Sequence, residues 1–367
     1  VRLQLDPLEI RRRNLRERDH GNSQRSTDSR NYGPVLTKLA QAASYASLRE
    51  GVVGRRRQGE RVGIGLCCYL EPSGQGWESA RVQLQADGMI CAATGSSAQG
   101  QGRETAYAQI VAEVFKVSPE RVKVLHGDTA TTPTGIGALA SRSTPIGGSA
   151  LLLAAQESRT RIKQQAAALL GCSAESLAIG EAGVRNAEGA LLGWDELARA
   201  TNDACAAEVA YEAAGEAWGF GCCLAVVSLD PETGAPRVEQ IFYVDDAGRL
   251  VNPLLAEGQI HGGIAQGLGE ALLERLVYSK DGQLLTGSLM DYALPRASDM
   301  PALHLDHYET PSPCNPLGAR GLGETGTIGA PPAILNAVLD ALSPDRLERV
   351  ELPLGSETLW RVLQGKR

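Results

Sequence analysis

Residues 318–342 read GARGLGETGTIGAPPAILNAVLDAL, and their reading decides what kind of chain this is. Five glycines surround a single acid, Glu324, and the stretch then runs through Pro331 and Pro332 into an apolar helical pattern. A glutamate between GLG and TGTIG gains nothing from helix propensity, and glycine backbone lets a ligand come close. The prolines fit the first turn of a helix whose core face is Ile334, Leu335, Val338, Ala341 and Leu342, which pins the loop on its downstream side. A rigid loop presenting one acid is a way to mount a general base; a solvated side chain is the plain alternative.

Upstream of this stretch, GFGCCLAVVSLD and RVEQIFYVDD read as strands, followed by the polar turn AGRLVNP and a glycine-laced helix, EGQIHGGIAQGLGEALLERL. The first half has the same grammar. VGIGLCCYL, ARVQLQ and MICAAT are short apolar or alternating strands, the last two joined by an ADG hairpin. SSAQGQG leads into the helix RETAYAQIVAEVF, followed by a strand RVKVLHG, a polar loop and an Ala-rich helix from about Pro145 to Leu170. Residues 173–202 read as an inserted hairpin and helix with Asp195 as N-cap. Strands and helices in mixed order predict an α+β fold. Residues 1–60 differ: DPLEIRRRNL starts a charged helix capped by Asp6 with Pro7 in its first turn, and a polar stretch follows, as in the tail of a preceding domain. The main domain is expected over 61–367.

Composition narrows the function. With 367 residues, 43% of them hydrophobic, the chain can bury a large core. No apolar run is long enough for a membrane span, and the N-terminal residues lack the apolar core of an export signal, so a cytoplasmic location is expected. A net charge of −7 argues against a nucleic-acid partner, and the basic runs RRRN and GRRRQGER read as solvated faces. Eight cysteines, including the adjacent pairs Cys67-Cys68 and Cys222-Cys223, contain no C-x-x-C spacing and read as reduced core residues. His261 and His304 read as ordinary surface or core histidines, and no side chains are expected to ligate a metal.

The glycine loops carry a second signal. GIGALA at 135–140 has dinucleotide-fingerprint spacing but follows DTATTPT rather than a strand, which argues against that use. QGQG reads as a strand–helix turn, and HGGIAQGLG as a helix packed closely through its glycines. Yet these loops also carry Gln101, Gln259 and Gln266, amides that donate and accept and so suit a polar heterocycle such as a pterin.

Four stretches in this order, TGSSAQGQGRETAYAQIVAEVF, HGDTATTPTGIGALASRSTPIGGSA, DDAGRLVNPLLAEGQIHGGIAQGLGEALLE and GLGETGTIGAPPAILNAVLDAL, resemble the C-terminal half of the molybdopterin-binding large subunit of the xanthine dehydrogenase, aldehyde oxidase and carbon monoxide dehydrogenase family. The resemblance implies that Glu324 is the catalytic base beside molybdenum. It implies that Gln101 and Gln259 bond the pyranopterin, with Gly100 and Gly102 letting the backbone close on it. Ala140, Ser141 and Ser143 match a loop beside metal and pterin, and the cofactor is expected in its plain or cytosine dinucleotide form.

The resemblance further implies that the pterin dithiolene holds the metal, and that Glu324 deprotonates the water-derived group whose oxygen attacks an electron-poor carbon of an aldehyde or N-heteroaromatic. Leu66 and Cys67 stand where the xanthine-specific branch has an aromatic residue and a threonine, which makes them the expected substrate pocket. Partners expected on the same ground are the N-terminal half of the molybdopterin subunit, an Fe–S subunit and an FAD subunit. A natural split subunit, a fragment, a carbon monoxide dehydrogenase-type subunit and a non-catalytic scaffold are the alternatives.

Overall fold

The computed structural model describes residues 5–15, 32–73, 75–342 and 350–365. Most of the polar stretch between the first two helices lies outside the described residues. The helix opened by DPLEIRRRNL is α1 (Pro7–Asn14), with the Asp6 carboxylate accepting from the Leu8 and Glu9 amides. α2 (Tyr32–Ala42) and α3 (Tyr45–Arg57) follow. Next come β1 (Arg61–Pro72), β2 (Trp77–Leu84), β3 (Ile90–Thr94), α4 (Arg103–Phe115) and β4 (Val122–Leu125). A π-helical turn, Ser143–Gly148, runs into α5 (Ser149–Leu170), so the Ala-rich helix ends where its sequence suggests and opens, around Pro145, as a wider π turn. The insertion is β5 (Ala178–Gly180), β6 (Gly183–Arg185), β7 (Leu191–Leu192) and α6 (Trp194–Thr201). Its N-cap is Gly193; Asp195 lies inside the first turn, where its charge still favours the helix N-terminus. The chain continues through β8 (Ala207–Glu212), β9 (Trp218–Leu229), β10 (Pro236–Asp246), α7 (Pro253–Leu272), β11 (Ala302–His307), α8 (Thr325–Ala341) and α9 (Ser356–Leu363).

Two four-stranded sheets carry the architecture, in the orders β1-β9-β10-β11 and β4-β3-β2-β8, with the insertion forming a small third sheet. The first is buried on both faces. Alternate residues Val62, Ile64 and Leu66 of β1, with Phe220, Cys222 and Leu224 of β9, face α1–α3. Cys67 and Tyr69, with Cys223, Ala225 and Tyr243, face α7–α9. Such two-sided burial explains why these strands read as nearly continuous apolar runs, and why the vicinal cysteines divide between two cores as free thiols. The second sheet packs on α4 and α5 around Phe115, Ile162 and Trp194.

Arginines of the basic runs bind the layers together. Arg55 makes a bidentate pair with Glu239, Arg56 bonds Asp340, and Arg11 donates to the Leu66 carbonyl. The expectation of wholly solvated basic faces is therefore corrected: Arg12 and Arg13 are exposed, whereas Arg11, Arg55 and Arg56 are half-buried clamps.

One contact places the site. A side chain on Gly63 or Gly65 of β1 would overlap the backbone of α8 at Ala337 and Asp340–Ala341, or at Ala333 and Asn336–Ala337. Moving along β1 toward its C-terminal end therefore means moving along α8 toward its N-terminus. The two elements run in opposite directions, and β1's last turn of chain meets the start of α8.

Candidate active site

Glu324 is the N-cap of α8, and its side chain makes no capping hydrogen bond. The helix starts at Thr325, so Pro331 and Pro332 lie inside it rather than in its first turn. Prolines there deprive the Thr327 and Ile328 carbonyls of partners within the helix. The Pro331 ring fills the space left by Gly267 of α7, and Gly263 sits against Gly326 in the same crossing. Gly263 and Gly267 of HGGIAQGLG thus serve helix packing, and Gln266 is exposed outside the site.

A cavity of about 520 Å³, a size suited to a small-molecule site, lies among the loops that lead from β3, β4, β10 and β11 into the helices that follow them. Gly100 and Gln101, ahead of α4, form one wall; Ala140, Ser141 and Ser143 form the next; Gln259 comes from α7; and Gly323 and Glu324 close the fourth side. Of the eight site residues that the sequence names in these stretches, seven line this one cavity, all but Gly102. Gly102 has φ +73° as the N-cap of α4, and a side chain there would strike Leu255, which does line it. The Gln101 Oε1 accepts from the Gln99 amide at 2.6 Å, which fixes the amide plane. Arg103, pulled below its ordinary pKa by burial, donates to the hydroxyls of Ser96 and Ser143.

Leu66 and Cys67 do not reach this cavity. Both lie mid-strand in β1, Leu66 in the core under α2 and α3, and Cys67 in the core against α8 and beside a shallow groove with Ile10, Arg11 and Asn336. At about 3.3 Å per residue they stand more than 10 Å short of the strand end that meets Glu324. The expected substrate pocket is corrected accordingly: on a sheet covered on both faces, neighbouring residues enter opposite cores.

The sequence reading missed the polar framework under the loops. Arg142 and Glu78 form a fully buried ion pair at 2.5 Å; Glu78 also accepts from the Gly137 amide, and Arg142 donates to the carbonyls of Trp77 and Gly137. Arg320 pairs with Asp246 at 2.8 Å, also fully buried. Ser73 accepts from the Gly321 amide, and Glu71 accepts from the Ser141 hydroxyl, both at 2.6 Å. A signal for Glu71 does exist in the sequence, since it continues the period-two face of Cys67 and Tyr69 that packs on α8.

Cofactor fit can be judged from the donor set. Two glutamines and a serine hydroxyl from three separate segments converge on one cavity, as a heterocycle edge with alternating donors and acceptors requires. The buried Arg103 Nε lacks a hydrogen-bond partner beside them. Among the described residues no group of three His, Cys, Asp or Glu side chains could hold a metal ion. The residues fit a pyranopterin.

A two-sheet α+β chain with loops converging on a cofactor-sized cavity and one loop-borne glutamate defines a cofactor-binding domain. The chain belongs to the molybdopterin cofactor-binding domain family, whose model matches residues 38–301. It is 35% identical over 345 residues, 90% of this chain and 43% of the relative, to the 6-hydroxypseudooxynicotine dehydrogenase complex subunit gamma of Paenarthrobacter nicotinovorans. Among solved structures, quinoline 2-oxidoreductase from Pseudomonas putida 86 superposes with a TM-score of 0.86 at 32% identity, over 100% of this chain and 50% of that one. Carbon monoxide dehydrogenase from Oligotropha carboxidovorans superposes with a TM-score of 0.90 at 28% identity, over 99% of this chain and 49% of that one. The chain thus spans about half the length of the relatives it matches. Among the described residues no helix is long and apolar enough to cross a membrane.

Proposed function

We propose that this chain is the C-terminal part of the catalytic subunit of a molybdenum hydroxylase, with Glu324 as its general base. The observation that carries the reading is the placement of Glu324: an acid not used for capping, at the edge of a cavity whose other walls present Gln101, Gln259 and Ser143. When bound, the molybdenum–pyranopterin supplies the two-electron redox chemistry. Gln101, Gln259 and Ser143 orient it by its polar edges, with Gly100 and Ala140 giving backbone access. Glu324 takes up the proton of the water whose oxygen enters the product. Leu139, Leu250 and Leu322 give the cavity apolar patches that suit an organic substrate, an aldehyde or an N-heteroaromatic. The relatives' names support a substrate of that class.

In this reading residues 1–60 close a preceding cofactor domain and 61–367 form the second one. The N-terminal half of the subunit completes the site, and Fe–S and FAD subunits carry electrons away. Glu324→Gln in the assembled complex tests the assignment. It preserves size and polarity but removes proton acceptance, so kcat should fall about 10²–10⁴-fold. Molybdenum content should stay unchanged, as should electron transfer from the chemically reduced centre. Near wild-type turnover at full cofactor content would remove Glu324 from the mechanism and favour a scaffold role.

A further inference from the structure

Glu71 ends the buried run of β1 and is 3% exposed, yet it carries a carboxyl group into the junction behind the cavity. Its Oε1 accepts from Ser141 at 2.6 Å, and its Oε2 is buried without a hydrogen-bond partner. Two residues on, Ser73 holds the Gly321 amide. A side chain at Gly321 would overlap both the Ser141 carbonyl and its Cβ, so the two loops are in backbone contact. Ala140 and Ser141 have φ of +46° and +52°, conformations that non-glycine residues keep only where their surroundings enforce them.

We propose that Glu71 is a positioning residue: through Ser141, and with Ser73 beside it, it locks the loop that carries Ala140 and Ser141 against the Gly321–Glu324 loop and so fixes where the Glu324 carboxylate stands. This rests on the reading of Glu324 as the base. Oε2, which makes no hydrogen bond of normal geometry although the Glu324 amide lies close to the carboxyl, is the place for a proton in this reading. Burial first, and then the Glu324 charge, push the Glu71 carboxyl up to about 7, while the Ser141 hydroxyl and the Glu324 amide pull the other way. The remaining groups around it add little that could take its place. Tyr69 lies on its own strand and is itself driven far up by burial, and Gly219 of β9 presents only backbone. A neutral carboxylic acid accepts from Ser141 without setting a second full charge against Glu324. An ionised one would do so, and the lock would work against the base it positions.

The test uses the assembled complex with Glu71→Gln, Glu71→Ala and Ser141→Ala. Gln reproduces the neutral acid's shape and donor–acceptor pattern; Ala removes the lock. Glu71→Ala and Ser141→Ala should each lower kcat about 10- to 100-fold with KM within about twofold, since a displaced catalytic group costs rate on that scale. Glu71→Gln should recover most of the Glu71→Ala loss. In infrared difference spectra, the carbonyl band of a protonated carboxylic acid should titrate near neutral pH in the wild type and vanish in Glu71→Gln. A band that survives in Glu71→Gln, or a Gln variant as impaired as Ala at equal cofactor content, overturns the proposal. The infrared readout does not depend on turnover, so it separates this failure from that of the general-base assignment, which Glu324→Gln reports.

Discussion

At the residue scale, the site is a problem of two acids at one junction, one exposed and one buried. Glu71 makes a further prediction about stability. Its carboxyl is raised from 4.5 to about 7, so the folded protein holds this proton more tightly than the unfolded chain. The favourable contribution is complete below about pH 4.5 and is lost as pH rises through about 7, a swing of about 3 kcal/mol as an upper bound. Glu71→Gln has no such titration. Thermal unfolding of the complex should therefore show variant and wild type nearly equal at pH 5 and the variant the more stable at pH 8; a gap of the same size at both pH values would mean that Glu71 does not titrate in this range. The sequence stated Glu324, Gln101 and Gln259 openly because each stands beside glycines in a recognisable stretch, the first two in loops and the third within α7. Glu78, Arg142 and Asp246 stayed hidden because burial of a charge depends on partners 64 to 74 residues away in the chain, whereas Glu71 was signalled only by the period-two face of β1.

At the element scale, helices and strands were largely legible. α4 occupies the very residues its pattern marks, Arg103–Phe115, and the long strands follow from their apolar runs. What misled was local chemistry overridden by packing. Pro331 and Pro332 signal a helix start, but α8 begins six residues earlier because its first turns are held by α7 through Gly263 and Gly267. The glycines of β1 have a packing role that no local rule supplies, and they yield a prediction. Gly65→Ala would force a methyl group into the α8 backbone between Ala333 and Ala337, an overpacking cost of about 3 kcal/mol or more. The soluble yield of the variant should collapse, and a fold-neutral result by circular dichroism and thermal melting would mean that the strand–helix contact is looser than described.

For the whole molecule, the cavity is walled on the sides this chain supplies, but Leu139 and Glu324 stay exposed. Leu254, Leu289 and Met290 are also more than three-quarters exposed. On the proposed reading, in which the other half of the subunit completes the site, molybdenum and pterin should be found at near stoichiometric levels in the two halves expressed together and at low levels in this chain alone. Stoichiometric cofactor in the single chain would show that its own loops suffice. Location and partners were the least legible properties, since composition constrains charge and hydropathy but says nothing of which surfaces another chain covers.

The opposed run of β1 and α8 also has a consequence for how activity is lost. Glu71 and Glu324 are carried to the same place by a strand and a helix that are clasped along their length, with Asp340 holding the Ile64 amide and Asn336 the Leu66 carbonyl far from the cavity. The spacing of the two acids is therefore set by a buried strand–helix contact as well as by the loop contacts at Ser141 and Gly321. With the roles proposed for the two acids, thermal inactivation of the complex is expected to coincide with the collapse of this sheet rather than to precede it.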